Sequence, residues 1–307
     1  MTMQPTVTAV IVSYNPDIER CRALIETAAL QVDHVIVVDN GSSPSALAVL
    51  RQLRREGRCQ LVELGVNKGI ASAQNTGIAI AFDRADDYVL LLDHDSRLVA
   101  DCVAQLISAH RRLTESGVPV GAVGPQYADE SSGAKAPFLR YGRYTYSRIY
   151  AGRPGECIES SILIASGSLI SHQALAAVGL MDETLFIDGV DWEWCFRAGD
   201  RGYRLFGCTA ASMLHNLGIG TLRVMGRSMP LHHPLRHYYV YRNALLLCGR
   251  KEVPFSWKLS FLARLAVRFL IYLLWAPERR QRCHYIFRGL VDGMARRGGP
   301  IPFGEIR

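Results

Sequence analysis

The sequence predicts an α/β fold: a mainly parallel sheet with helices on both faces, followed by a helical, basic amphipathic extension. Three observations predict it. Short β-branched runs alternate with helical spacings over the first hundred residues. Polar clusters stand directly after the apolar runs. The tail joins the longest apolar stretch to most of the net positive charge.

Val7–Val12 is the first such run and reads as a buried strand. It is cut by Ser13, Asn15 and Pro16 and lacks a basic leader, so a secretory signal is not expected. Asp17–Leu30 has helical spacing. Val35–Val38 is a second strand, ending in Asp39-Asn40-Gly41. Pro44–Arg55 is helical, and Cys59–Glu63 is a third strand. Turn signals follow at Gly65, Asn67 and Gly69, then an Ala-rich helix over Ile70–Arg84. Tyr88–Leu92 is a fourth strand, ending at Asp93. Continuous apolar strands separated by helices imply βαβ units and a parallel sheet buried on both faces. The region from about 120 to 217 reads as less regular. Within it, Ile158–Ala165 is a strand candidate, Asp191–Gly202 a helix and Ala211–His215 a short strand. No linker divides the chain.

Apolar residues make up 49% and charged residues 21% of the 307, which is ordinary for a globular protein. The net charge is +7. Residues 250–307 hold 12 Lys/Arg and 4 Asp/Glu, a balance of +8, so the rest is −1. Phe255–Trp275 is apolar but interrupted by Lys258, Arg264 and Arg268. Two arginines near its middle make a membrane span costly. A helix lying on an anionic membrane surface fits, as does a core helix with snorkelling arginines. A nucleic acid is not the expected partner. The eight cysteines contain no CxxC pair, which argues against a zinc site and for reduced thiols.

In open α/β sheets, ligands bind at the carboxyl ends of the strands. Four polar clusters fall there: Ser13-Tyr14-Asn15, Asp39-Asn40, Asn67-Lys68-Gly69 and Asp93-His94-Asp95. One such cluster would be ordinary strand ending and helix capping; four point to a ligand. Asp93 and Asp95 are spaced i, i+2, so in extended backbone both carboxylates lie on one side and His94 on the other. Paired carboxylates repel unless a cation stands between them. A divalent ion shared with substrate phosphates is the usual magnesium or manganese arrangement. No phosphate loop, G-x-G-x-x-G or G-x-S-x-G motif occurs, which disfavours a kinase, a dinucleotide dehydrogenase and an α/β-hydrolase. A second acidic cluster runs from Asp188 to Glu193. Asp191 suits a general base, and equally a first-turn partner of a helix dipole with Asp188 as N-cap. His215 suits a metal ligand or a structural role.

Together these residues resemble the family-2 inverting glycosyltransferases. The segments are VIVSYNP (10–16), VVDNGS (37–42), NKGIASAQNTG (67–77), LLLDHDS (90–96), SGSLIS (166–171), LFIDGVDWEWCFRA (185–198), HNLG (215–218) and HHPLRHYYVYRN (232–243). Within the family they are most similar to bacterial transferases that use dTDP-L-rhamnose. The resemblance implies a GT-A fold, a Rossmann-like mixed, mainly parallel sheet. It implies a transferase domain over 1–245, with a nucleotide-binding half to about 125 and an acceptor half beyond. Residues 246–307 would be the membrane-surface extension.

The resemblance also assigns roles. Ser13, Tyr14, Asn15, Asp39 and Asn40 would hold base and ribose, with Asn67 and Gly69 beside them. Asp93 and Asp95 would hold a divalent cation, Mg2+ or Mn2+, and the diphosphate; His94 stands where Gln is common. His215 would join the metal. Arg242 and Asn243 would contact the diphosphate. Ser166, Gly167, Ser168, Asp188, Trp192 and Glu193 would face the acceptor, and Asp191 would be the catalytic base. The implied partners are dTDP-L-rhamnose and a lipid-linked or amphiphilic glycan acceptor. The implied place is cytoplasmic, peripheral on the inner face of the bacterial plasma membrane. A UDP-sugar donor, and more distantly a nucleotidyltransferase, remain alternatives at this stage.

Overall fold

The computed structural model describes residues 4–129, 133–153, 155–215, 220–224 and 227–301. The chain opens with β1 (Val7–Ser13), α1 (Ile18–Ala29), β2 (His34–Asp39), α2 (Pro44–Arg55), β3 (Gln60–Glu63), α3 (Ile70–Asp83) and β4 (Tyr88–Asp93). Next come β5 (Arg97–Leu98), α4 (Cys102–Glu115), β6 (Val120–Asp129), β7 (Phe138–Tyr141), β8 (Tyr146–Ile149), β9 (Cys157–Ser160) and β10 (Leu169–Ser171). α5 (His172–Val178), α6 (Val190–Asp200), β11 (Arg204–His215), β12 (Gly220–Val224) and β13 (Arg227–Leu231) follow. Three helices close the chain: α7 (Pro234–Cys248), α8 (Phe255–Trp275) and α9 (Arg279–Met294).

The main sheet runs in the order β3-β2-β1-β4-β10-β6-β11-β5, with β9 also on β11. β1, β2, β3 and β4 are mutually parallel, and β10 is antiparallel to both β4 and β6. β4 and β6 therefore point the same way, and their carboxyl ends share an edge. Side chains alternate through the sheet, as strand geometry requires. Val10, Val12, Ile36, Val38, Val89 and Leu91 pack on one face. Ala9, Ile11, Val35, Val37, Leu90 and Leu92 pack on the other.

The region expected to be irregular holds two of the longest strands, β6 and β11. Gly121, Gly124 and Pro125 make β6 look like loop in sequence. Proline is tolerated in a sheet where the ladder breaks. Here β11 supplies the break: Pro125 pairs with Cys208, while Gln126 pairs with Ser212. The strand expected over Ile158–Ala165 ends at Ser160, whose hydroxyl donates to the Ile162 carbonyl at 2.7 Å.

The closing helices form one bundle on the flank of the sheet. Tyr238 of α7 donates to Asp292 of α9 at 2.8 Å, and Tyr241 donates to the Leu265 carbonyl of α8 at 2.8 Å. The boundary expected at residue 245 falls inside α7. Helix α8 buries Trp257, Phe261, Leu265 and Tyr272. Its outward side carries Phe255, Leu259, Leu262, Val267, Leu270 and Leu274, all exposed. The eight cysteines form no disulfide.

Candidate active site

The strand ends bring the first clusters together. Ser13 ends β1 and is in register with Asp39 at the end of β2. Both are buried, and the Ser13 hydroxyl donates to Asp39 Oδ1 at 3.2 Å. The second Asp39 oxygen accepts from the N–H groups of Gly41 and Ser42, at 3.2 and 3.0 Å. The Asn40 amide donates to Asn67 Oδ1 at 3.1 Å, and its oxygen accepts from Lys68 N–H at 2.8 Å. Asn15 adopts a left-handed φ of 45°, and its oxygen accepts from Ser43 N–H at 2.8 Å. These bonds fix the loops before any ligand arrives. Tyr14 remains 46% exposed, an aromatic face at the rim.

Gly69 ties this rim to the second acidic cluster. Its φ is +88°, which favours glycine, and a Cβ there would collide with the Phe186 carbonyl. That absence of side chain lets Ile70 N–H donate to Phe186 O at 2.7 Å. Two loops more than a hundred residues apart are thereby joined.

At the end of β4, Asp93 N–H donates to Ser166 Oγ at 3.1 Å, and Ser166 Oγ lies 2.5 Å from Ser96 Oγ. Gly167 N–H donates to the Leu91 carbonyl at 2.8 Å. His94 turns toward β1, with Nδ1 3.3 Å from the Val12 carbonyl, away from its acidic neighbours.

Asp191 lies in the first turn of α6, where the helix dipole favours a negative charge. The loop before it is unusual: Phe186, Asp188 and Gly189 all have φ between 63° and 86°. Such conformations persist where surroundings enforce them. Asn243 enforces this one, donating to the carbonyls of Leu185, Ile187 and Asp188 at 2.7–2.9 Å. Asp191 accepts from Trp192 N–H at 2.9 Å and keeps part of its surface open to the cleft. Burial pushes its pKa up to about 7; the Trp192 N–H opposes this, and the charges of Asp93 and Asp188 add to it. A cation stands against this cluster. Arg236, in the first turn of α7, grips Asp188 through Nε and Nη2, the latter at 2.8 Å from Oδ1. Burial depresses the pKa of Arg236, but Asp188 outweighs it, and the charges of Asp93 and Asp191 raise the pKa further.

The glycosyl transferase family 2 model matches residues 8–177. A dTDP-rhamnosyl transferase, RfbF, from Shigella flexneri is 32% identical over 253 residues, covering 82% of this chain and 83% of that protein. The chain belongs to glycosyl transferase family 2. A second relative of the transferase is a Mycobacterium tuberculosis N-acetylglucosaminyl-diphospho-decaprenol L-rhamnosyltransferase. It is 26% identical over 285 residues, covering 84% of this chain and 90% of that one. Among solved structures, S. aureus TarS residues 1–349 with UDP-GlcNAc gives a TM-score of 0.56 at 14% identity, covering 94% of this chain and 81% of that one. The Pyrobaculum calidifontis mannosyltransferase with GDP-Man and Mn2+ gives 0.54 at 14%, covering 95% and 88%. These two share the transferase's GT-A fold.

Several of the residues expected at the site are buried and bonded within the transferase. Arg242 is fully buried and donates to the carbonyls of Gly299, Thr184 and Leu185. With Asn243 it braces the acidic loop from behind. Glu193 is likewise fully buried, between Arg197 and Arg250 at 2.8 and 2.9 Å. The hydroxyls of Ser166 and Ser168 are buried, and that of Ser168 donates to Ile164 O at 2.6 Å. The Ser166 hydroxyl braces the end of β4, and that of Ser168 closes the turn before β10. Trp192 is half-buried at the seam of α6 and α8, edge-on to Phe261 at 5.1 Å. His215 ends β11, and its side chain lies outside the described residues, as do residues 216–218. The residue missed from sequence is Arg236. It stood inside the HHPLRHYYVYRN segment, but residue type alone did not say which arginine there faces the acids.

Proposed function

We propose that the protein transfers L-rhamnose from dTDP-L-rhamnose to a hydroxyl of a polysaccharide intermediate or glycolipid, in one displacement with inversion. The observation that carries this reading is the place of Asp191. It opens to the cleft at a helix N-terminus, within electrostatic range of Asp93, and is held there by a braced loop. The Shigella and mycobacterial relatives, both rhamnosyltransferases by name, support the donor. The mycobacterial name also supports a lipid-diphosphate acceptor.

In this reading Asp191 takes the proton of the acceptor hydroxyl as that oxygen attacks the anomeric carbon. A carboxylate with a pKa near neutrality is a better base than an ordinary one. Tyr14, Asn15 and the Asp39–Gly41 turn hold the nucleoside. Arg236 keeps Asp188 in place, and Asp188 and Trp192 form the acceptor side. No enzyme nucleophile is needed.

A divalent ion, Mg2+ or Mn2+, belongs to the reading. The site suits one: the charges of Asp93 and Asp188 add to the effect of burial on Asp191, and Arg236 stands against all three. Their hard oxygen ligands match those ions. Asp93 and Asp95 would hold it, with His215 as a candidate third ligand. Among the described residues no three His, Cys, Asp or Glu side chains are grouped as a metal site. When bound, the ion offsets charge on the departing nucleoside diphosphate.

The proposed place of action is the inner face of the bacterial plasma membrane. No helix among the described residues is long and apolar enough to cross a membrane. The outward face of α8 is apolar along its whole length, and the tail is basic. Apolar insertion beside basic side chains is how a helix lies on an anionic leaflet.

The test is Asp191→Asn assayed with dTDP-L-rhamnose, a UDP-sugar panel and Mg2+ or Mn2+. Nucleotide affinity should persist while transfer falls by about 10²–10⁴-fold. Wild-type-like turnover would remove Asp191 as base. Preferred turnover of a UDP-sugar would overturn the donor.

A further inference from the structure

A small cavity opens at the carboxyl end of β6, on the edge where β4 ends in Asp93. Its volume is about 50 Å³, enough for a small chemical group and far too little for a sugar ring. Gly124, Pro125, Tyr127, Phe138, Leu163 and Ser166 line it. All but Tyr127 and Ser166 are wholly apolar. Ser166 Oγ is already engaged, receiving Asp93 N–H and lying 2.5 Å from Ser96 Oγ.

Three contacts place this slot between the two ends of the reaction. Ser166 bonds Asp93, at the diphosphate end. Leu163 is bonded at the base end: its N–H lies 3.3 Å from Cys195 Sγ, and its carbonyl accepts from the same thiol. Cys195 stands four residues after Asp191, hence on the same face of α6. Tyr127 lies near enough to Asp191 that the aspartate charge adds to the effect of burial on its phenol. A donor sugar must sit between its own leaving phosphate and the base that activates the acceptor. The slot therefore borders the sugar.

A 6-deoxyhexose carries a methyl group where an ordinary hexose carries hydroxymethyl. The geometry points to this slot as the subsite for the sugar's C6 methyl, with Leu163, Phe138 and Pro125 as the residues that select a 6-deoxy donor. This rests on the rhamnosyl reading above. An apolar wall stabilises a methyl by dispersion and by removal from water. A hydroxyl there would lose its water and find no partner. Apolar pockets discriminate against an added hydroxyl by about 100-fold, and this slot sets that scale for the enzyme.

The experiment compares dTDP-L-rhamnose with its 6-hydroxy counterpart, dTDP-L-mannose. The readout is slow donor hydrolysis to dTDP, which needs no acceptor. Wild type should prefer the deoxy donor by about 100-fold in kcat/KM. Leu163→Ala widens the slot and should cut that preference about tenfold or more. Gly124→Ala narrows it, because the new methyl would meet the Leu163 Cδ atoms at 3.3 and 3.4 Å. It should lower kcat/KM for the rhamnosyl donor. Both variants should bind dTDP as wild type does, and that affinity, measured by calorimetry, reports folding independently of the slot. If wild type turns over dTDP-L-rhamnose but neither variant changes the ratio, the slot is a packing void and the inference falls alone. If wild type turns over neither donor, the rhamnosyl reading falls and takes the inference with it.

Discussion

Arg236 and Asp188 form a two-pronged ion pair, 2.8 Å at its shortest, beside the carboxylate of Asp191. The pair joins the first turn of α7 to the loop that launches α6. It is also the local counterweight to Asp93 and Asp191. Its strength is measurable by a double-mutant cycle with Asp188→Asn and Arg236→Gln. The coupling should lie at about 0.5–3 kcal/mol in chemical denaturation. Additive single effects would mean that the pair holds nothing in place.

Asp191 makes the folded protein hold a proton that the unfolded chain releases. Its pKa is raised from 3.8 to about 7, so the stability of the protonated form is fully present below pH 3.8 and lost as pH rises through 7. Asp191→Asn mimics the protonated acid. In chelator-treated protein it should therefore melt above wild type at pH 8, and level with it at pH 4. Adding Mn2+ should narrow the gap at pH 8, since a cation relieves the same repulsion. Equal melting temperatures at pH 8 without metal would refute the account.

Asn243 supplies three carbonyl contacts to a loop in left-handed conformation. Asn243→Ala leaves buried carbonyls without those partners, at a cost of about 1–3 kcal/mol. The rate of transfer should fall more steeply than dTDP affinity, because the nucleoside rim is built from other loops. A variant losing both in equal measure would point to general unfolding instead.

The outer face of α8 can be changed without touching the core. Leu262→Gln with Leu270→Gln should abolish co-sedimentation with phosphatidylglycerol vesicles, while donor hydrolysis stays within about twofold. Vesicle binding that survives the double change, or that ignores salt, would contradict surface binding by an apolar and basic tail.

Much of the first half was legible because strands buried on both faces write themselves as unbroken apolar runs. α2 and α8 occupy the residues their spacing predicts, Pro44–Arg55 and Phe255–Trp275. β6 was not legible, since the bulge that accommodates Pro125 lies on β11, more than eighty residues away. The clusters at Ser13, Asp39, Asn67 and Asp93 do meet at one sheet edge. The late helix was harder. Arg236, Arg242 and Asn243 look alike as polar residues on α7, and only packing against the 184–188 loop separates the one at the cleft from the two behind it. The ion partners of Glu193 were equally hidden: Arg197 comes from the next turn of α6, and Arg250 from the loop after α7.

The seam between Gly69 and Phe186 has a mechanical consequence. Main chain meets main chain there, without a side chain to act as a cushion. The nucleoside rim and the stretch leading to Asp191 are therefore fastened at a main-chain junction that any side chain at residue 69 would force apart.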